Sequence, residues 1–237
     1  MSTYLSLTNE LLRRMGEVTI DSSDFGSTRN VQELAKNAIN SSIRDLLHSA
    51  QEWPFALVTN TQTLTVGVNT YALPSTASSV DWDSFYLKNF NNSVSALRLP
   101  SISYSNYLMT HRARDDNAGV GGYSPPSAVF QTQEFKFGFT PIPNEEYEIE
   151  YKYWSFPSDL VAFDDVSIIP DRFSSVIIDG AMVYMMLYRS NEQSATMHKA
   201  TFEEGIKKMR RLLMDEPLSV VSTALTNSSS TLNIRVI

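Results

Sequence analysis

The spacing of apolar and polar positions changes period twice along the chain, and the predicted elements follow from those changes. Tyr4, Leu5, Leu7, Leu11, Leu12 and Met15 recur at helical spacing, and Gly16 stands where a helix C-terminus often sits. That spacing predicts a short helix over 3–15, followed by a polar loop over 17–28. Asn30 with Glu33 three residues later comes close to a capping box. From there Val31, Leu34, Ala35, Ala38, Ile39, Ile43, Leu46, Leu47 and Ala50 form one stripe, with Lys36, Arg44 and Asp45 off it. The stripe predicts a long amphipathic helix that ends before Pro54.

From Phe55 the pattern turns to that of strands. Leu57 to Val66 is rich in β-branched residues, and Gly67-Val68-Asn69 separates it from Thr70 to Pro74, which predicts a hairpin. A Ser-rich linker follows, then short apolar runs at Phe85–Leu87 and Ala96–Leu99; residues 102–110 fit a short helix. Arg112 to Pro126 holds three glycines, two prolines and mixed charges, so it reads as a loop with no apolar face to bury. Ser127 to Gln131 begins another strand. The clearest alternation lies in Phe135–Phe156. Phe135, Phe137 and Phe139 share one face; after Pro141–Asn144, Tyr147, Ile149, Tyr151 and Tyr153 share another, opposed by Glu148, Glu150 and Lys152. These two runs predict a β-hairpin. An aromatic stripe opposite charged residues is a sheet's buried face rather than a sugar-binding platform.

After Pro157 the period returns to that of a helix. A loop over 159–169 leads to Pro170-Asp171, and Phe173, Val176, Ile177, Gly180, Ala181, Tyr184, Leu187 and Tyr188 then form one stripe. Met182, Met185 and Met186 are expected to pack in a helical interface. Ser190–Gln193 stops that helix and offers a second capping box. Ala195, Phe202, Ile206, Met209 and Leu213 mark a last helix, with Lys207, Lys208, Arg210 and Arg211 near its C-terminal end, where cations favour the helix dipole. So short a connection makes the two helices antiparallel neighbours. The Ser/Thr-rich segment 218–237 finishes with Leu232, Ile234 and Val236 alternating with Asn233 and Arg235, a strand that pairs with another chain or folds back on its own sheet. The expected fold class is α+β. A helical bundle over 1–54 and 165–216 carries an inserted antiparallel β-domain over 55–164, and 217–237 is an extended arm.

Composition narrows the function. The 237 residues carry a net charge of −7, with acids exceeding bases 26 to 19, which argues against a protein that grips phosphate. The absence of cysteine removes disulfides, thiolate metal sites and a cysteine nucleophile together, and fits folding in a reducing cytosol. No apolar run reaches the roughly 18 residues of a bilayer span, and the first residues lack the pattern of a signal peptide. His48, His111 and His198 are far apart, and no His-x-x-x-His pair suggests a metal. Adjacent acids at Asp115-Asp116, Glu145-Glu146 and Asp164-Asp165 are turn chemistry or solvated charge rather than a glycosidase pair. With no P-loop, nucleophile elbow or dinucleotide fingerprint, the sequence leads us to expect neither enzyme activity nor a cofactor.

Specific residues carry a further likeness: Trp53-Pro54 closing a helix; Tyr71-Ala72-Leu73-Pro74 after a polar strand; Phe139-Thr140-Pro141-Ile142-Pro143 entering Tyr147-Glu148-Ile149-Glu150-Tyr151; then Ile169-Pro170-Asp171-Arg172-Phe173 and a Tyr-rich helix. In this order and spacing, from about Thr3 to Leu213, the chain resembles the head-to-tail adaptor proteins of tailed bacteriophages, which include the tail tubular A proteins of short-tailed phages. The resemblance implies a structural virion protein, assembled in the host cytoplasm, whose copies form a ring, typically of twelve, between the portal protein and the tail nozzle or tube. Genomic DNA passes through such a ring without specific binding, and no membrane partner is implied. It also implies a portal-docking arm, here Leu232, Ile234, Val236 and Ile237. The charged stretch with Arg112, Arg114, Asp115 and Asp116 is expected to form a loop facing the tail. The rivals are a receptor- or glycan-binding tail module and a cell-wall-degrading tail enzyme.

Overall fold

The computed structural model describes residues 2–50, 52–88, 96–117 and 122–214. Helix α1, Tyr4–Met15, is capped by Thr3, whose side chain accepts from the Ser6 amide at 3.2 Å. It ends at Gly16 with φ 72, a left-handed conformation that favours glycine. Helix α2, Val31–His48, follows the predicted stripe but not the predicted cap. The Asn30 side chain makes no capping bond, and Glu33 instead accepts from Thr28 Oγ1 at 2.8 Å. Helices α5, Ser174–Tyr188, and α6, Glu192–Leu213, are joined by a short turn in which Asn191 caps α6 through the Ser194 amide. Leu11, Leu12, Ile39, Leu46, Ala181 and Met185 lie at the centre of the cluster these helices bury. Gly180 lets α5 approach closely: a Cβ there would meet Ser42 Oγ at 2.3 Å and the Phe202 ring at 2.7 Å. Ser42 Oγ uses the same approach to donate to the Ile177 carbonyl at 2.6 Å.

The strands bury a second cluster between two sheets. One sheet has the order β1-β8-β3-β4, with β1 Leu57–Leu64, β8 Tyr147–Ser155, β3 Ala77–Lys88 and β4 Leu97–Arg98. The other has the order β2-β7-β6-β5, with β2 Thr70–Ala72, β7 Lys136–Thr140, β6 Ala128–Gln131 and β5 Ser101–Ile102. Both predicted hairpins are therefore corrected. β7 and β8 are in different sheets, and so are β1 and β2. The proline-punctuated connection after Thr140 carries the chain across the core, not back along a neighbouring strand. β1 pairs with β8 instead, from Leu57↔Trp154 to Leu64↔Tyr147.

The inward faces are as the alternation predicted. Phe137, Phe139, Ile149 and Tyr151 are fully buried, and Phe85 stacks on Tyr151 with centroids 4.9 Å apart. Phe135 departs from that face. It sits at φ 57 in the turn between β6 and β7 and is half exposed. The predicted antiparallel β-domain also contains a parallel pair, β5 with β6. The run at Phe85–Leu87 proves to be the end of the twelve-residue β3, whose register shifts between Asp81 and Tyr86.

Trp53 and the 157–169 segment lie where the chain passes between the helical and sheet portions, and both pack on the helical cluster. Trp53 is 1% exposed, donates from Nε1 to the Leu46 carbonyl at 3.1 Å and stacks on Phe55. Asn40 on α2 holds the Leu160 main chain from both sides: its Nδ2 donates to the Leu160 carbonyl at 3.0 Å and its Oδ1 accepts from the Leu160 amide at 3.1 Å. Arg44, one turn on, pairs with Asp159 at 3.4 Å. The Tyr4 amide donates to the Asp165 carbonyl at 2.8 Å, so the start of α1 is tied to the same segment.

Candidate functional site

The residues expected in a tail-facing loop lie on helix. A short helix α3, Tyr104–Asn106, runs through a π turn at Tyr107–His111 into α4, Arg112–Asn117. The loop reading failed because it rested on the glycines and prolines of 119–126. The residues before them have helix-compatible side-chain pairs, with Thr110 bonded to Asn106 and Arg112 paired with Asp116 at 3.3 Å. Residues 118–121 lie outside the described residues.

The four charges divide into two kinds. Arg112 and Asp116 are both exposed and pair in water. Asp115 is 4% exposed: it accepts from Thr140 Oγ1 at 2.7 Å and pairs with Arg114 at 3.2 Å, while Arg114 also donates to Thr140 at 2.9 Å. Asp115 thus fastens α4 to the end of β7, and it is not a free surface charge. Replacing Asp115 by alanine leaves the buried Thr140 hydroxyl without that acceptor. Urea unfolding should show a loss of about 1–3 kcal/mol. Asp116→Ala should change stability by no more than about 0.5 kcal/mol. Leu232, Ile234, Val236 and Ile237 lie outside the described residues.

Sequence reading missed an exposed helix face. Tyr184, Leu187 and Tyr188 belong to the predicted α5 stripe, yet they are 38%, 52% and 57% exposed. The core is closed by Val176, Ile177, Ile178 and Met182 nearer the start of the same helix and by Met185 on its opposite side. Met197 and Leu212 on α6 are exposed as well. The signal was available in part, since α5 is apolar nearly all round and one partner helix on each side cannot cover every face.

Several tyrosines report on their surroundings. Burial, then the hydrogen bond to Asp45, pushes the Tyr184 hydroxyl up to about 12. Burial, then the hydrogen bond to Glu145, raises Tyr147 to about 12. Tyr4 is raised mainly by burial, with Glu33 the largest charge acting on it. Each folded-state value lies above the unfolded value of about 10, so their contribution to stability is complete below pH ~10 and is lost as pH rises from there through ~12. The melting temperature should fall over that window, and less steeply in a Tyr4→Phe, Tyr184→Phe variant.

Among the described residues, no group of three or more His, Asp or Glu side chains could hold a metal ion. His48 rests against Phe156, with ring centroids 4.5 Å apart. No helix among the described residues is long and apolar enough to cross a membrane. At the end of α6, Arg210 donates to the Ser49 carbonyl and Lys208 pairs with Glu204 at 2.8 Å, so the basic run is partly spent within the fold.

The described residues form a helical body and a two-sheet unit, with apolar side chains exposed on α5 and α6. The family model described as SU10 adaptor protein matches residues 2–224, and the chain belongs to that family. It is a structural head-to-tail adaptor of a bacteriophage virion. The comparison with curated proteins gives no match.

Proposed function

We propose that copies of this chain assemble into a ring between the portal protein and the tail nozzle or tube, with the ring's lumen forming part of the DNA ejection channel. The observation that carries this reading is the family match over residues 2–224, which spans both the helical and the sheet portions. The helical portions, 1–54 and 165–216, make the copy-to-copy contacts. The β unit, 55–164, faces the tail component with exposed Arg112 and Asp116 on it, and the arm within 217–237 reaches the portal. Twelve copies is the number that the resemblance suggests. At −7 per copy, a ring repels DNA from its lumen and lets it slide without binding. The ring is assembled in the host cytoplasm and ends in the virion neck.

The bare face at Tyr184, Leu187 and Tyr188 supports this reading, because apolar area on one copy needs a complementary surface on the next. Leu187→Asp with Tyr188→Asp, both at exposed positions, should leave the fold intact and convert the assembled species to monomer in analytical ultracentrifugation. Unchanged sedimentation of the assembly would remove this face from the ring contact.

A further inference from the structure

Among the described residues, a groove opens between parts of the two sheets. It encloses about 490 Å³, and its walls come from three places: Trp82 on β3, Ser101–Tyr104 at and after β5, and the turn Gln131–Gln133 after β6. That volume lies in the range of sites that take a small ligand or a few residues of peptide. Among the described residues, no charged side chain lines it. Its two aromatic walls are held from behind. Trp82 stacks on buried Phe85 at 5.6 Å and 12°, and Tyr104 stacks on Tyr107 and Phe130 at 6.1 Å each. Both rings are therefore fixed in place before anything binds, which lowers the ordering cost of binding.

Beside the groove lies an open sheet edge. β5 is the last strand of its sheet and pairs only with β6 among the described residues, through Ser101↔Val129 and Ile102↔Phe130. The outer side of such a strand offers main-chain donors and acceptors in a row, which match an extended peptide better than a compact ligand. The occupant should then be a peptide without charge, with small polar side chains for the Ser, Thr and Gln lining and a few apolar ones for the two rings.

The chain itself supplies one. After Met214, at the end of α6, residues 217–234 carry no charged side chain and run Pro-Leu-Ser-Val-Val-Ser-Thr-Ala-Leu-Thr before the serines at 228–230. The residues beyond Met214 reach up to about 75 Å when extended, far more than one groove requires. We propose that residues 218–231 seat in the groove formed by Trp82, Tyr104 and the Gln131–Gln133 turn, with their main chain continuing the sheet beyond β5. Val221 and Leu225, which share one side of an extended strand, are the apolar side chains available to the two rings. The tip, 232–237, is not part of the seated stretch, so this inference can fail separately from portal docking.

The absence of cysteine makes a direct test simple. In the full-length protein, Gln133→Cys is paired in turn with Ser219→Cys, Ser222→Cys and Ser228→Cys and mildly oxidised. Asp21→Cys, on an exposed loop of the helical portion, is the control with the same three partners. A seated segment should give disulfide product with Gln133→Cys in about tenfold excess over the control at one or more tail positions, reflecting its high effective concentration. Excess synthetic 218–231 peptide, or Gln131→Lys at an exposed position in the groove, should reduce that product. A one-chain or a two-chain product would show which copy supplies the segment. Equal yields at Gln133→Cys and Asp21→Cys, or no product at any position, would overturn the proposal and leave the groove to a segment of another protein or to a neutral sugar.

Discussion

Removing residues 232–237 is expected to abolish association with the portal while leaving the melting temperature of the adaptor unchanged. Leu232, Ile234 and Val236 alternate with polar residues, so an extended tip presents all three on one side. Burying an aliphatic side chain of this size contributes about 2 kcal/mol. Even if ordering the tip cancels half of the sum, about 3 kcal/mol remains, more than a hundredfold in Kd. The two hydrophobic clusters of the described residues close with side chains up to Met214, which is why the fold should survive the truncation. Binding to immobilised portal checks the first half of the expectation and thermal unfolding the second. Full-strength portal binding by the truncated protein would take the docking role away from the tip.

The second large effect concerns Trp53, in the helical cluster where the chain leaves α2 for the sheets. Trp53→Ala should cost about 3–5 kcal/mol, as removal of a buried large aromatic does. Trp53 is fully enclosed between the end of α2 and the start of β1, and its loss also frees the Leu46 carbonyl from its indole partner. Trp53→Phe keeps most of the volume without that bond and should recover a good part of the loss. Chemical denaturation of the three proteins gives the comparison. An alanine variant as stable as the parent would mean that Trp53 does not hold the helical cluster together.

Period told faces well and neighbours poorly. The stripe through Leu34, Ala35, Ile39, Ile43 and Leu46 was enough to place α2 because a helix makes its own hydrogen bonds. In the strands, alternation put Phe137, Phe139, Ile149 and Tyr151 inside, and they are inside. It could not say that β7 and β8 lie in different sheets, since two strands facing each other across a core alternate just as two paired strands do. β3 was hidden for a related reason: Ser78, Ser79, Asp81, Asp83 and Ser84 interrupt its apolar face, and a register shift falls among them. Asp115 was legible as a charge but not as a buried one, because its partner Thr140 is 25 residues away in sequence. The exposed end of α5 was misread as core since the stripe continues unbroken through Tyr188, and only the packing of α2 and α6 decides where cover stops.

This adaptor is expected to form rings that sit on the portal. Electron micrographs of the purified protein, alone and mixed with portal particles, test it most directly. The account predicts rings stacked coaxially on the portal, and loss of the stacking when 232–237 is removed. Particles that remain single copies and ignore the portal would contradict it.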